Sequence, residues 1–184
     1  MKNIIIFGEI GAGKDTVAEM FEKAGWQIGK LGAPIRKMVD ESAQLMNISK
    51  EDVRSLYVNY GQSMRRMFGE DLWCMNLLAR DQAAINEKRL CIADARQANE
   101  LRFFAEDMDF VPIAVVAKDS VRINRIVERD GVSPQKNADE ETEIQARYCV
   151  DIVREVNDKF LIKNDGTLEE LQAKVDAIVA EIKA

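Results

Sequence analysis

The sequence predicts an α/β fold with a parallel sheet, formed by one domain that includes all 184 residues. Short apolar runs alternate with stretches of helical periodicity, and this alternation is typical of strand–helix–strand units. The runs are continuous rather than interrupted by polar residues, as expected for strands that are buried on both faces. A glycine-rich sequence with the spacing of a phosphate-binding loop follows the first run directly.

In the first half of the chain we predict two strands and four helices. Residues 2–7 form the first strand, and the helix after the glycine-rich loop continues until Gly25 stops it. Residues 26–31 form a weaker strand. Three helices then follow, over residues 34–47, over residues 49–57 with Ser49 as the N-cap, and over residues 72–86.

In the second half we predict three strands, over residues 90–93, 111–117 and 160–162. A charged helix over residues 121–129, a polar loop to Asn137 and a helix to Asn157 separate the last two strands. The final helix begins with the capping box Thr167-Leu168-Glu169-Glu170. Because the crossovers between parallel strands are right-handed, the loops that follow the strands lie along one edge of the sheet, where ligands bind.

The glycine-rich loop is Gly8-Glu9-Ile10-Gly11-Ala12-Gly13-Lys14, which has the G-x-x-x-x-G-K pattern. Its glycines permit backbone angles that turn successive N–H groups toward a polyphosphate, and the positive end of the next helix points at the same anion. Lys14 would reach the outer phosphates. The residues of this loop that we predict to bind ATP are Gly8, Gly11, Ala12, Gly13, Lys14, Asp15 and Thr16.

Asp15 departs from the usual pattern, because the position after the lysine normally carries the hydroxyl that coordinates magnesium, and here the hydroxyl comes at Thr16. Since a carboxylate beside the phosphates would be repelled, we expect Asp15 to point toward the acceptor side. A glycine-rich turn without a ligand is disfavoured by the spacing and the context. A dinucleotide-binding fingerprint over residues 11–16 is disfavoured by the lysine inside the loop and by the missing third glycine.

Two further features carry candidate chemistry. Asp94 ends the strand at residues 90–93, and its carboxylate is either a magnesium ligand, direct or through water, or the cap of a helix. Arg122, Arg125 and Arg129 share one helix face, which is either a solvated charged face or a lid that stabilises a transferred phosphoryl group. The candidate catalytic residues are therefore Lys14, Asp94, Arg122, Arg125 and Arg129.

A second basic cluster consists of Arg65 and Arg66, which lie near Gly61, Gly69 and Trp73 in the sequence. The mixture of arginine, aromatic and glycine residues suggests a pocket for a planar group that bears a phosphate. The alternative interpretation is a pair of surface helices.

Composition excludes several classes of function. The net charge of −6 argues against a general nucleic-acid surface, and the absence of histidine removes His-based catalysis and His-ligated metals. The three cysteines are odd in number and far apart, as expected for reduced core thiols in the cytoplasm. The apolar run at residues 110–117 is too short to cross a bilayer, and a strand that begins by Asn3 leaves no room for a signal peptide.

Four segments resemble the P-loop nucleoside-monophosphate kinase superfamily, and most of all the phage-type deoxynucleoside monophosphate kinases. Those kinases carry the patterns G-K-D-T, G-T-E-x-G-R-x-x-x-G-x-D-x-W, D-V-R-F-P-N-E and N-D-G-T-L-E-E-L. The similar segments here are Gly13-Lys14-Asp15-Thr16, the stretch from Gly61 to Trp73, Asp94-Ala95-Arg96-Gln97-Ala98-Asn99-Glu100, and Asn164-Asp165-Gly166-Thr167-Leu168-Glu169-Glu170-Leu171.

This resemblance implies a three-layer α/β/α fold with a five-stranded parallel sheet, an inserted acceptor-binding helical region over residues 32–88, and a lid over residues 119–140. It implies that Arg66 and Arg96 hold the acceptor phosphate and that the loop of Asp165 and Gly166 lies near the base of ATP. The complete set of predicted acceptor-binding residues is Asp15, Arg66, Trp73, Asp94 and Arg96.

The expected activity is transfer of the γ-phosphoryl group of ATP, with Mg²⁺, to a nucleoside or deoxynucleoside monophosphate, which gives the diphosphate. One alternative is a kinase of another metabolite, as in dephospho-coenzyme A kinase or phosphomevalonate kinase. Another is a nucleotide-binding protein without turnover. A regulatory GTPase is disfavoured, because the sequence has no N-K-x-D signal. The base and sugar of the acceptor stay open, as does the oligomeric state, for which a homodimer is one option.

Overall fold

The computed structural model describes residues 1–48, 53–131 and 141–183. Two sequence predictions fall outside these ranges. They are the N-cap at Ser49, and the part of the predicted polar loop and lid that spans residues 132–140.

The described residues form a five-stranded sheet in which every pair of neighbours is parallel, so the predicted fold class is confirmed. The strands are Ile4–Phe7 (β1), Gln27–Gly29 (β2), Leu90–Ile92 (β3), Val111–Val116 (β4) and Leu161–Lys163 (β5). Their order is β2-β3-β1-β4-β5. Since β3 and β4 lie on either side of β1, the segments that follow these two strands flank the glycine-rich loop that follows β1.

Helices alternate with these strands along the chain, and the last helix follows β5. They are Lys14–Lys23 (α1), Ala33–Met46 (α2), Val53–Phe68 (α3), Leu72–Asn86 (α4), Ala98–Leu101 (α5), Asp119–Asp130 (α6), Glu141–Val156 (α7) and Leu168–Lys183 (α8). A π-helix at Arg102–Glu106 and a 3₁₀ turn at Asp158–Phe160 complete the described elements.

Alternate residues of β1 point into two separate cores, which makes the fold three-layered. Ile4 and Ile6 pack with α1 and α8 on one face of the sheet. Ile5 and Phe7 pack on the other face, with buried residues of α4 and α7. All four side chains are fully buried, as expected for a central parallel strand. The continuous apolar run that predicted this strand thus reflects burial on both faces.

The predicted helix at residues 49–57 is longer than expected and ends at Phe68. It continues through Gly61, where an added Cβ would lie 3.1 Å from Cδ1 of Ile35 on α2. The glycine therefore allows α2 and α3 to approach each other and does not interrupt the helix. The helical segment over residues 98–106 was not predicted. Its start is capped by Gln97 with Glu100, a polar pair that resembles the Ser/Thr capping box only loosely.

Two smaller predictions are confirmed. At the start of α8 the N–H of Glu170 donates to Oγ1 of Thr167 at 3.3 Å, and the N–H of Thr167 donates to Oε2 of Glu170 at 3.2 Å, which is the predicted capping box. The three cysteines are free and buried. No helix in the described residues is long and apolar enough to span a membrane.

Candidate active site

The glycine-rich loop makes a tight turn between β1 and α1. Gly11 and Gly13 have φ angles of 79° and 97°, which residues with a side chain rarely adopt. The space around them is also closed. A Cβ on Gly13 would lie 2.3 Å from Nδ2 of Asn164, and a Cβ on Gly11 would lie 2.8 Å from the carbonyl oxygen of Arg122. Neighbours from two other parts of the chain therefore require glycine at both positions.

Asn164, which follows β5, holds the loop from the far side. Its Nδ2 donates to the carbonyl oxygen of Ala12 at 2.8 Å, in a buried hydrogen bond. The next residue, Asp165, accepts a 2.6 Å hydrogen bond from the N–H of Lys118 at the start of α6, and Gly166 is exposed beside it. The loop of Asp165 and Gly166 therefore lies close to the glycine-rich loop, and its proximity to the base of ATP stays a prediction.

Lys14 begins α1, and its side chain folds back into the loop. The Nζ atom donates to the carbonyl oxygens of Gly8 and Glu9, the latter at 3.1 Å, and the residue is buried. Burial, followed by the nearby Arg96 guanidinium, lowers the pKa of Lys14 to about 7. A bound polyphosphate would give this ammonium group a partner in place of the two carbonyl oxygens.

Asp15 pairs with a lysine outside the loop, and its predicted direction toward the acceptor stays a prediction. Its Oδ1 lies 3.4 Å from Nζ of Lys30, just after β2; the Asp15 side chain is largely exposed and that of Lys30 is partly exposed. Lys30 thus supplies a positive charge beside the carboxylate, which reduces its repulsion toward phosphates in the loop. Thr16 follows on α1 and is half-buried.

Asp94, just after β3, holds the main chain just before α2. Its Oδ1 accepts a 2.7 Å hydrogen bond from the N–H of Leu31, and its Oδ2 accepts a 3.0 Å hydrogen bond from the N–H of Gly32. Nη2 of Arg36 lies 3.8 Å from Oδ2. Both N–H groups precede the helix, so a metal-binding role and a helix-capping role of Asp94 both stay predictions. Arg36 was not predicted as a site residue, because a single arginine in an amphipathic helix has no motif that marks it.

Arg96 is held at both its main chain and its side chain. Its N–H donates to Oε2 of Glu100 at 2.7 Å, and its Nη1 donates to Oε1 of Glu143 on α7. The other oxygen of Glu143 accepts a 2.9 Å hydrogen bond from the N–H of Ile10 in the glycine-rich loop. Glu143 is thus a site residue that the sequence analysis missed, since its contacts lie far away in the chain.

The second basic cluster divides between the interior and the surface. Arg65 enters the interior, where Nη2 donates to Oε1 of Glu100 at 2.7 Å, while Nε and Nη1 are buried without a hydrogen-bond partner in the described part of the chain. Burial raises the pKa of Glu100, and the Arg65 guanidinium opposes this shift. Arg66 is exposed, and its Nε donates to the carbonyl oxygen of Gln62 on its own helix at 3.4 Å.

Trp73 lies in the protein core. Its Nε1 donates to the carbonyl oxygen of Gly61 at 3.3 Å, and its ring packs against Tyr60, with 6.5 Å between ring centroids. The indole therefore joins α3 to α4. A role in binding the acceptor stays a prediction.

The three predicted lid arginines are not equivalent. Nη1 of Arg122 donates to the carbonyl oxygen of Ile10 at 3.0 Å, and Nη1 of Arg125 donates to that of Gly11 at 3.4 Å. Arg129 is exposed, at the end of α6. The first two side chains therefore lie on the glycine-rich loop. A lid role for these arginines stays a prediction.

Glu9, within the loop, anchors this arrangement. Its Oε1 lies 3.1 Å from Nη2 of Arg122 and 2.6 Å from Nε of Arg147 on α7. One carboxylate thereby ties the loop to both α6 and α7. The result is a phosphate-binding loop enclosed by cationic side chains from several elements, an arrangement suited to an anion with several negative charges.

Metal binding can draw on few protein groups here. Across residues 1–48, 53–131 and 141–183 there is no group of three or more Cys, Asp and Glu side chains that could hold a metal ion. Beside nucleotides, Mg²⁺ usually takes several of its ligands from phosphates and water.

No protein-family model matches this sequence. The chain is 25% identical over 191 residues to a dephospho-CoA kinase of Clostridium tetani, a match that covers 93% of this chain and 82% of that protein. It is 24% identical over 186 residues to a UPF0200 protein of Thermococcus gammatolerans, with 97% of this chain and 94% of that protein covered.

Solved structures show the same fold. A dephospho-CoA kinase from Campylobacter jejuni superposes with a TM-score of 0.55 at 17% identity, over 99% of this chain and 98% of that chain. A shikimate kinase from Bacteroides thetaiotaomicron superposes with a TM-score of 0.50 at 14% identity, over 100% and 99%. The chain therefore has the P-loop kinase fold. The narrower resemblance to phage-type deoxynucleoside monophosphate kinases is not supported by these matches, in which dephospho-CoA kinase recurs.

Proposed function

We propose that this protein is an ATP-dependent kinase of a small anionic metabolite, and that dephospho-CoA is the first acceptor to test. One observation carries the proposal. The buried Lys14 lies in a phosphate-binding loop onto which Arg122 and Arg125 fold from α6, while Arg96 approaches from the loop after β3. A protein that only binds a nucleotide needs the loop, whereas phosphoryl transfer also needs cations around the phosphoryl group that is transferred.

ATP would be held along the loop. Its phosphates would lie against the N–H groups of residues 8–16 and the ammonium group of Lys14, and its base would lie near the turn of Asp165 and Gly166. Magnesium, when bound, neutralises phosphate charge. The Thr16 hydroxyl is the side-chain ligand that we propose for it. We propose that Asp94 contacts the ion through water, since both of its oxygens accept backbone hydrogen bonds and each keeps a lone pair for a further contact.

The reaction requires little covalent chemistry from the protein. Lys14 would hold the outer phosphates, and Arg122 with Arg125 would stabilise the charge that spreads over the transferred phosphoryl group. Burial of the loop beneath α6 would exclude water, which otherwise competes as an acceptor. Arg129, which is exposed at the end of α6, is proposed as a smaller contributor.

The acceptor would bind on the side of the loop that Asp15 faces. We propose that its negative groups contact Arg96, with Asp94 and Trp73 supporting the surrounding loop and helices. Arg66 is proposed as an outer contact. Its neighbour Arg65 is a candidate inner contact, because two of its buried nitrogen atoms have no hydrogen-bond partner within the described residues.

Two acceptor classes have specific support. The recurrence of dephospho-CoA kinase among the matches, including one that covers 93% of this chain, favours dephospho-CoA. The Gly13-Lys14-Asp15-Thr16 and Asn164-to-Leu171 segments favour a nucleoside or deoxynucleoside monophosphate instead. Both classes present phosphate groups to the same cationic surface.

The deciding experiment is coupled detection of ADP formation from Mg-ATP over a panel of acceptors. The panel contains dephospho-CoA, the ribo- and deoxyribonucleoside monophosphates and shikimate, and Lys14→Ala serves as the inactive control. A rate that depends on one acceptor and is lost in Lys14→Ala supports the kinase proposal and names the substrate. ATP binding without ADP formation from any acceptor would instead support a nucleotide-binding protein without turnover.

A further inference from the structure

Glu143 is the most deeply buried charged side chain among the described residues, with 1% of its side chain exposed. A carboxylate is costly to bury unless hydrogen bonds and a cation compensate for the lost water. Glu143 belongs to none of the motifs that define the phosphate-binding loop or the arginines of α6. Its two oxygens nevertheless contact both halves of the candidate active site.

One oxygen serves the side where ATP would bind. Oε2 accepts a 2.9 Å hydrogen bond from the N–H of Ile10, inside the phosphate-binding loop. The other oxygen serves the acceptor side, where Oε1 accepts from Nη1 of Arg96. A single carboxylate thus joins the main chain of the phosphate-binding loop to the guanidinium group that is proposed to hold the acceptor.

The helix that carries Glu143 makes this junction rigid. Glu143 lies in the first turn of α7, and α7 packs against β4, β1 and α5. Arg96, by contrast, lies in the loop between β3 and α5, where Oε2 of Glu100 accepts the hydrogen bond of its N–H at 2.7 Å. Glu100 therefore holds the main chain of Arg96, and Glu143 sets the direction of its side chain.

A purely structural ion pair is the competing explanation. A buried ion pair is weak evidence for stability, since the cost of removing two charges from water offsets much of their attraction. The Arg96 side chain is 32% exposed, so part of its charge remains in contact with solvent. A purely structural pair predicts that loss of Glu143 lowers the free energy of unfolding and impairs the use of ATP and of the acceptor to the same extent. A positioning role predicts instead that only the use of the acceptor is impaired.

We propose that Glu143 is a positioning residue that sets Arg96 relative to the phosphate-binding loop, and thereby fixes the distance between the acceptor and the phosphoryl group that it receives. The proposal rests on the proposed kinase function. Phosphoryl transfer depends strongly on such alignment, because a misplacement of about 1 Å can cost about 100-fold in rate.

The test is Glu143→Gln, alone and combined with Arg96→Gln. Glutamine keeps the size of the side chain, but its one carbonyl oxygen can accept from Ile10 or from Arg96 and not from both. We expect kcat/KM for the acceptor to fall about 10- to 100-fold, with the Kd of Mg-ATP changed less than about threefold. In the Arg96→Gln background the same substitution should change kcat/KM by less than about threefold.

Glu141→Gln is the matched control, because Glu141 is exposed on the same turn of α7. This substitution should change neither kcat/KM for the acceptor nor the Kd of Mg-ATP. Two results would overturn the proposal. One is that Glu143→Gln weakens Mg-ATP binding as much as it lowers kcat/KM for the acceptor. The other is that it lowers kcat/KM equally in the wild-type and Arg96→Gln backgrounds. If the glutamine variant does not fold, Glu143→Asp takes its place, since it keeps the charge but shortens the reach to Arg96, and the same outcomes decide.

A second measurement does not depend on turnover. Phenylglyoxal modifies accessible arginines, and peptide mass spectrometry gives the rate at Arg96 in the ligand-free protein. We expect this rate to rise severalfold in Glu143→Gln, while Arg154, which pairs with Asp151 on α7, reacts as in the wild type. An unchanged Arg96 rate would overturn the proposal. Absence of ADP formation from every acceptor in the wild type would refute only the kinase function, and the arginine rate would still decide whether Glu143 holds Arg96.

Discussion

Nucleotide binding near pH 8 should draw a proton from solvent onto Lys14. In the ligand-free protein, burial and the Arg96 guanidinium lower the pKa of Lys14 to about 7, from 10.5. The carboxylates of Glu143, Asp15 and Asp94 oppose this shift but do not cancel it. A polyphosphate in the loop brings several negative charges close to Nζ, which favours the charged form and raises the pKa of Lys14 again.

The size of the effect follows from the two protonation states. With a pKa of about 7, Lys14 is only about one-tenth protonated at about pH 8 in the free protein, and it is almost fully protonated in the complex. Binding at that pH should therefore take up about 0.9 proton, whereas binding at about pH 6 should take up only about 0.1.

Isothermal titration calorimetry with ADP or ATP measures this directly. The observed enthalpy is plotted against the ionisation enthalpy of two or more buffers, and the slope gives the number of protons exchanged. Lys14→Arg is the control, because the guanidinium group stays charged at every accessible pH and should give a slope close to zero. A slope near zero in the wild type, or an equal slope in Lys14→Arg, would refute the assignment of the proton to Lys14.

Stability provides an independent check of the same shift. The unfolded chain keeps the Lys14 proton until about pH 10.5, whereas the folded chain loses it near pH 7. The unfolded state therefore binds more protons between these values, and the contribution of Lys14 to the free energy of unfolding rises with pH through that range. Denaturant titrations of the wild type should show this rise, and Lys14→Met should lack it.

Three other substitutions test the remaining parts of the site. Arg96→Ala should raise the KM of the acceptor about 10- to 100-fold through loss of a charge-assisted contact, and Arg66→Ala should raise it less, because Arg66 is exposed. Steady-state kinetics would show the reverse order if Arg66 were the main phosphate contact. Arg122→Ala should lower kcat at least about tenfold more than Arg129→Ala, since Arg122 donates to a carbonyl oxygen of the loop and Arg129 is exposed at the end of α6; equal losses would contradict this. Asp15→Ser should leave Mg-ATP affinity within about threefold and impair acceptor use, because its carboxylate faces Lys30. A large loss of magnesium affinity would identify Asp15 as a metal ligand.

The sheet and the phosphate-binding loop could be predicted from the sequence because both depend on local patterns. A strand buried on both faces needs a continuous apolar run, and Ile4–Phe7 supplies one. The phosphate-binding loop needs glycine where the backbone is left-handed or where neighbours approach closely, and Gly11 and Gly13 meet both conditions. In each case the residues that cause the structure are adjacent in the chain.

The missed residues depend on contacts between distant parts of the chain. Glu143 lies 133 positions from Ile10 and 47 from Arg96, and beside Glu141 it has the sequence context of an ordinary solvated glutamate. Arg65 and Arg66 show the same limit on a smaller scale. Successive helical side chains point about 100° apart, so only the packing of α3 against Glu100 determines which arginine enters the interior.

The structure also explains why Asp94 fitted two interpretations. A carboxylate at the end of β3 lies beside the phosphate-binding loop, as a metal ligand would. It also faces the main chain after β2, where a helix cap would lie. It makes hydrogen bonds of 2.7 Å and 3.0 Å with the two N–H groups before α2. Each oxygen keeps a lone pair, so contact with a hydrated ion remains compatible with these hydrogen bonds. Because they hold the chain that leads into the helix of Arg36, we expect Asp94 to influence the position of α2 whether or not it contacts a metal.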